Sequence, residues 1–159
     1  WLLYSFITDG FAITATSLGG SLIGAKNNKA HRIMSKRLMV LGALSGILAA
    51  TTYAIGQYPI MSIFTTDPKV ITILEQLWWL LVLMQPFNGV LYVADGIIFS
   101  IREFSYARRR MTEGFFLLFL PFAISGYLFG QHLELIWGAF CILGIYRLIT
   151  NCWLVSKRT

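Results

Sequence analysis

The chain has 159 residues, of which 57% are hydrophobic, 15% aromatic and only 13% charged, whereas a soluble globular domain carries about 25% charged residues. A water-soluble domain, intrinsic disorder and a coiled coil are excluded together, because each needs far more polar and charged surface than this composition supplies. Thirteen Lys and Arg against seven Asp and Glu give a net charge of +6, but the basic residues lie between apolar runs, so they report membrane topology and exclude nucleic acid as the partner.

A helix crossing about 30 Å of hydrocarbon needs about 20 mostly apolar residues. Five stretches qualify, over about 1–25, 38–64, 70–101, 114–132 and 134–156, and the expected fold is an all-α polytopic membrane protein of five transmembrane helices. Barrel strands are excluded, since the runs are continuously apolar instead of alternating. The connectors alternate in charge: Lys26, Lys29, Arg32, Lys36 and Arg37 in the first, Lys69 alone in the second, Arg102, Arg108, Arg109 and Arg110 in the third, none in the fourth, then Lys157 and Arg158 in the tail. By the positive-inside rule, connectors one and three and the carboxyl terminus are cytoplasmic.

The first span starts at Trp1 with no basic region or cleavage motif before it, and reads as an internal start in a larger protein. Within it, Asp9 lies about 24 Å of helical rise from the basic end. It is either a cavity acid or an interfacial residue. Glycines four apart, Gly20/Gly24, Gly42/Gly46 and Gly126/Gly130, are expected to be packing sites between helices.

The third span carries the strongest signal. Gln85, Asn88, Tyr92 and Asp95 follow one another at steps of three, four and three, which puts them on one helical face over about 15 Å. A polar face on a membrane helix lines a cavity or bonds a neighbouring helix. Pro86, beside it, removes a backbone hydrogen bond near mid-span, where a kink with free carbonyls is expected. Such broken helices mark solute and ion sites in transporters.

In the last span, Arg147 is either a snorkelling arginine or the structural partner of Asp95, which lies at a similar depth. Cys141 and Cys152 are eleven residues apart in the same run, about 16 Å along a helix, too far for a disulfide. His31 and His132 fall in expected connectors, so no metal site, and no phosphate-binding loop or nucleophile elbow, is expected. Asp9-Gly10 and Asp95-Gly96 resemble an aspartyl protease dyad only superficially, because the expected depths put them near opposite faces of the membrane.

Residues 85–96, Gln-Pro-Phe-Asn-Gly-Val-Leu-Tyr-Val-Ala-Asp-Gly, resemble the tenth helix of the multidrug and toxic compound extrusion (MATE) transporters, particularly the DinF-like branch. Asp9-Gly-Phe-Ala with Leu18-Gly-Gly and Leu22-Ile-Gly-Ala is similar to the family's eighth helix, and Pro59 to Val70 to the outer end of the ninth. The resemblance implies helices eight to twelve of twelve, most of the carboxyl-terminal lobe of a cation-coupled antiporter that exports organic solutes, drugs or metabolites. Its implied partners are membrane lipid, a small organic solute and the amino-terminal lobe of the same protein. No cofactor is implied. Asn88, where the sodium-coupled branch has an acidic residue nearby, favours proton over sodium coupling. The branch's best-known protonatable aspartate lies on the first helix, outside this chain. A plasma or inner membrane is implied, with an organelle membrane as the alternative.

The sequence departs from the family pattern at Ala25-Lys26-Asn27 and Ser100-Ile101-Arg102-Glu103, both at expected cytoplasmic exits. A lipid-linked oligosaccharide flippase of the same superfamily, or a non-transport scaffold or receptor, are the alternative functions.

Overall fold

The computed structural model describes residues 2–129 and 132–158. Trp1 and Gly130, and with Gly130 the Gly126/Gly130 pair, lie outside the described residues. Helices run α1 (Leu2–Gly24), α2 (Asn28–Ile55), α3 (Gln57–Phe64), α4 (Pro68–Ser100), α5 (Phe104–Gly114), α6 (Leu120–Phe129) and α7 (His132–Arg158), with a π-helical turn at Phe115–Phe119 joining α5 to α6. Five of the resulting helical units are long and apolar enough to cross a membrane: α1, α2, α4, α5 through Leu128, and α7. No strand occurs among the described residues.

The boundaries differ from the expected ones where charge meets helix. The second span is expected at 38–64, yet α2 begins at Asn28 and its spanning helix stops at Ile55. Lys and Arg are good helix formers, and their long stems keep the charges in the polar layer. Pro59 has no N–H to offer the Ile55 carbonyl, and the chain breaks at Gly56 and resumes as α3. Residues 102–113 are likewise mostly α5 and not a loop. Pro121 has the same effect within the fourth span: it has no N–H for Leu117 and crowds that carbonyl, and the π turn holding Leu117 lies immediately upstream.

Two exits at the basic end close in the same way. Lys26 and Arg102 have φ of 56° and 60°, the left-handed region where glycine is the usual occupant. Around the first, Asn27 N–H donates to Leu22 O and Lys26 N–H to Ile23 O, and around the second, Glu103 N–H donates to Ile98 O and Arg102 N–H to Phe99 O. Both are Schellman closures with a basic residue at the strained position. At the start of α4, Asp67 accepts from Lys69 N–H at 2.9 Å and Pro68 takes the first helical position.

α4 is the central helix, packing against α1, α2 and α7, while α7 also packs against α5, α6 and the π turn. Its buried residues include Val93, Ala94, Ile97 and Ile98, all 0% exposed, which join Ala15, Leu38, Leu154 and Val155 in the main core. Around that core the surface is apolar: Leu2, Leu3 and Phe6 are 73% exposed and Ile55 is 81% exposed, a pattern that is stable only against lipid or further protein.

Glycine sets the approach of α2 and α1 to α4. A Cβ on Gly42 would lie 2.5 Å from Gly89 O, and one on Gly46 would lie 2.5 Å from Pro86 Cα; the α2 pair is thus a packing site, pressed on the turn of α4 that contains Pro86. Gly20 and Gly24 face open space, which corrects the expectation for that pair. Packing glycines outside the regular spacing include Gly19, against Ser100, Gly96, whose Cβ would collide with the Ala12 backbone, and Gly114, against Leu143.

Candidate functional site

With about 100° per residue, Gln85, Asn88, Tyr92, Asp95 and also Phe99 fall within about 80° of one another around α4. The side-chain bonds fix which way that face looks. Tyr92 OH donates to Ser5 Oγ of α1 at 3.3 Å, while Asp95 accepts from two residues of α7. The polar face therefore looks between α1 and α7, which do not touch each other among the described residues.

Its members differ in surroundings. Gln85 is 0% exposed; its Nε2 donates to Leu81 O at 2.8 Å, and its Oε1 is buried with no hydrogen-bond partner. Pro86 lies inside α4, which continues through it, so the Val82 carbonyl has no N–H partner at i+4. Asn88 is 5% exposed. Tyr92 is half-buried and tied to α1. Asp95 meets Arg147 Nη2 at 2.6 Å and Asn151 Nδ2 at 2.6 Å, with the ion-paired side chains 17% and 27% exposed for Asp95 and Arg147. Arg147 and Asn151 are four apart, so one carboxylate grips two successive turns of α7.

Asp9 is exposed on α1, in a groove with Ala12, Ile13, Thr16, Ser17 and Phe99, and has no ion-pair partner among the described residues. Its depth is corrected by the contacts of α1. Thr16 Oγ1 donates to Gly96 O at 3.2 Å, and Ala12 packs on Gly96, the neighbour of Asp95. Three residues, or about 4.5 Å of rise, separate Asp9 from Ala12. Asp9 and Asp95 are thus at neighbouring depths and not near opposite faces, on the two sides of Phe99, whose ring lines both grooves. Counting residues from the basic end misleads because α1 runs on beyond α4: Gly19 already meets Ser100, the last residue of α4, and α1 continues to Gly24.

Two features lie where connectors are expected. His31 is 2% exposed, and its Nε2 lies 3.1 Å from Ser100 Oγ, whose own hydroxyl donates to Ile97 O at 2.6 Å. With that donation fixed, His31 Nε2 is the donor, locking the start of α2 to the end of α4 beside Gly19. Along α5, Arg110 Nη1 donates to Glu113 Oε2 at 2.8 Å, Tyr146 OH donates to the same oxygen at 3.1 Å, and Tyr106 OH donates to Thr150 O at 2.6 Å. The signal for the second was the spacing of Tyr106, Arg110 and Glu113, which is helical. For His31 nothing in the sequence marks the partner. No group of three His, Cys, Asp or Glu side chains suited to a metal ion occurs among the described residues. Cys141 and Cys152 are free thiols.

Five apolar helices carrying a polar face that opens between two of them define an integral, multi-pass membrane protein. The sequence model of the MatE family matches residues 1–124, and the chain belongs to that family. The protein named Protein DETOXIFICATION 44, chloroplastic, of Arabidopsis thaliana is 28% identical over 159 residues, covering 100% of this chain and 30% of the relative. Protein DETOXIFICATION 45, chloroplastic, of the same plant is 24% identical over 156 residues, covering 94% of this chain and 28% of the relative. Protein DETOXIFICATION 42 is 28% identical over 107 residues, 67% of this chain and 21% of the relative. The chain spans less than a third of the length of these relatives. No solved structure matches it.

Proposed function

We propose that the chain forms most of the carboxyl-terminal lobe of a cation-coupled antiporter that exports small organic solutes, with the amino-terminal lobe of the same protein facing the opening between α1 and α7. The observation that carries this reading is the pairing of opposite solutions for two carboxylates at one depth. Asp95 is neutralised by Arg147 and Asn151, whereas Asp9 is exposed without a cation. A carboxylate within a span is expensive unless paired, wet or protonated. Asp9 therefore serves as the proton-binding group on the open face, and Asp95 as a structural anchor. Solute hydrogen bonding is assigned to the half-buried Tyr92 and to the amides of Gln85 and Asn88, which are buried in this arrangement of the helices and would have to be uncovered to meet a solute.

The reading favours proton coupling, because a lone carboxylate offers a sodium ion too few oxygen ligands. The test is a transport assay on the full-length protein in proteoliposomes, using a panel of fluorescent organic solutes, with proton and sodium gradients imposed separately. Solute movement driven by the proton gradient alone is expected. Movement driven only by sodium would reassign the ion, and solute movement that responds to neither gradient would overturn coupled transport.

A further inference from the structure

On the α7 side of Phe99, a cavity of about 330 Å³ lies between α4, α5 and α7. Phe99, Phe104, Ala107 and Met111 form its apolar wall, and Arg108, Arg110, Arg147, Asp95 and Asn151 its polar one. Three guanidinium groups thus face one carboxylate. That carboxylate is already saturated by Arg147 and Asn151, and Glu113, outside the lining, is shared by Arg109 and Arg110. The surplus is specific. Arg108 has no hydrogen-bond or ion-pair partner among the described residues. Arg110 commits Nη1 to Glu113 and Tyr146 and lies over the Tyr106 ring, while its Nε is buried without a partner.

The position of the cavity adds a second constraint. It is lined by the first two turns of α5 and the last two of α4, beside the Arg102 exit, so it sits at the basic, interfacial end of the bundle. Phe104 is 57% and Met111 46% exposed next to it. Arginine forks match phosphate oxygens, and basic pockets between membrane helices at the interface hold lipid headgroups. An anionic head over an apolar slope is the ligand shape this surface complements.

We propose that the cavity binds a phosphate-bearing anion through Arg108 and Arg110, supplied in the membrane by the headgroup of an anionic phospholipid whose acyl chains lie along Phe104 and Met111. Arg147 contributes field but is held by Asp95. The site depends on the membrane placement of the chain and not on transport, so loss of coupled flux with lipid binding retained would overturn the transport proposal and leave this one standing.

The full-length protein in a neutral detergent tests it, with its thermal midpoint followed during titration with dioctanoyl phosphatidylglycerol, dioctanoylglycerol or inorganic phosphate. Phosphatidylglycerol is expected to raise the midpoint and dioctanoylglycerol, which has the same tails without phosphate, is not. Arg108→Gln should weaken the apparent affinity about fivefold, the value of one interfacial charge, and Arg109→Gln, outside the cavity, should not. Arg108 has no partner to lose, so its variant reports binding and not folding. Arg108-dependent stabilisation by inorganic phosphate to the same extent would keep the anion site and overturn the lipid as its occupant. Equal effects of dioctanoylglycerol and phosphatidylglycerol, or titrations indifferent to Arg108→Gln, would overturn the site.

Discussion

Asp95 holds α7 to α4 through two 2.6 Å bonds, and its energetics lie between those of exposed and fully buried pairs. Exposed ion pairs contribute about 0–1 kcal/mol and the loss of one partner from a buried pair costs about 3–5 kcal/mol. Asp95→Asn in the full-length protein is therefore expected to destabilise by about 1–3 kcal/mol, visible as a lower thermal midpoint and less folded protein. Asn88→Leu is expected to depress export with the midpoint nearly unchanged, since Asn88 makes no hydrogen bond to another helix among the described residues and the proposed function assigns its amide to solute. Finding instead that Asn88→Leu unfolds the protein while Asp95→Asn only slows export would mean that the two roles are exchanged. The stripe and the Asp95–Arg147 pairing were open to sequence reading because helical spacing orders residues along one face and similar depths allow charges to meet. The Asn151 bond, the Ser100 partner of His31 and the relative depth of the aspartates were not, because each depends on how two helices cross, which no single helix encodes.

Each helix is legible where apolar length decides it and illegible where charge, proline or crossing geometry does. Continuous hydrophobicity marks five spans, but it places the second one too late by treating the basic first turns of α2 as loop. The glycines make the same point more sharply. Gly20/Gly24 and Gly42/Gly46 have the same spacing, yet only the second pair meets another backbone. Gly42→Ala is expected to force its Cβ onto Gly89 O, 2.5 Å away, and to destabilise by about 1–3 kcal/mol as an overpacked contact. Gly20→Ala has open space around it and is expected to leave the thermal midpoint unchanged or raise it, alanine being about 1 kcal/mol better than glycine within a helix. Equal destabilisation by both substitutions would show that the α2–α4 approach is not the closest contact in the lobe.

For the molecule as a whole, the basic residues gather where α1, α4 and α7 end and α2 and α5 begin, bound together by His31–Ser100 and by Arg158–Glu103 at 2.8 Å. The positive-inside rule then sets this end in the cytoplasm. Ser35 is buried and unsuited to labelling, so exposed Asn28 at this end and exposed Thr66 at the other serve instead. In a full-length variant lacking native cysteines, a cysteine at Thr66 is expected to react with an impermeant thiol reagent added to intact cells and one at Asn28 only after permeabilisation. The opposite pattern would invert the protein in its membrane.

The proposed transport by the whole protein takes Asp9 as its proton-binding group, and one comparison addresses that assignment directly. Full-length wild type and Asp9→Asn, reconstituted in proteoliposomes, are assayed for solute movement driven by a proton gradient and for solute exchange at equilibrium without any gradient. The wild type is expected to do both, and Asp9→Asn to retain exchange while losing the gradient-driven movement by at least about tenfold, the equivalent of about 1.4 kcal/mol in the coupled step. Proton-driven movement at the wild-type rate in Asp9→Asn would contradict the assignment of Asp9 and, with it, the division of labour between the two aspartates.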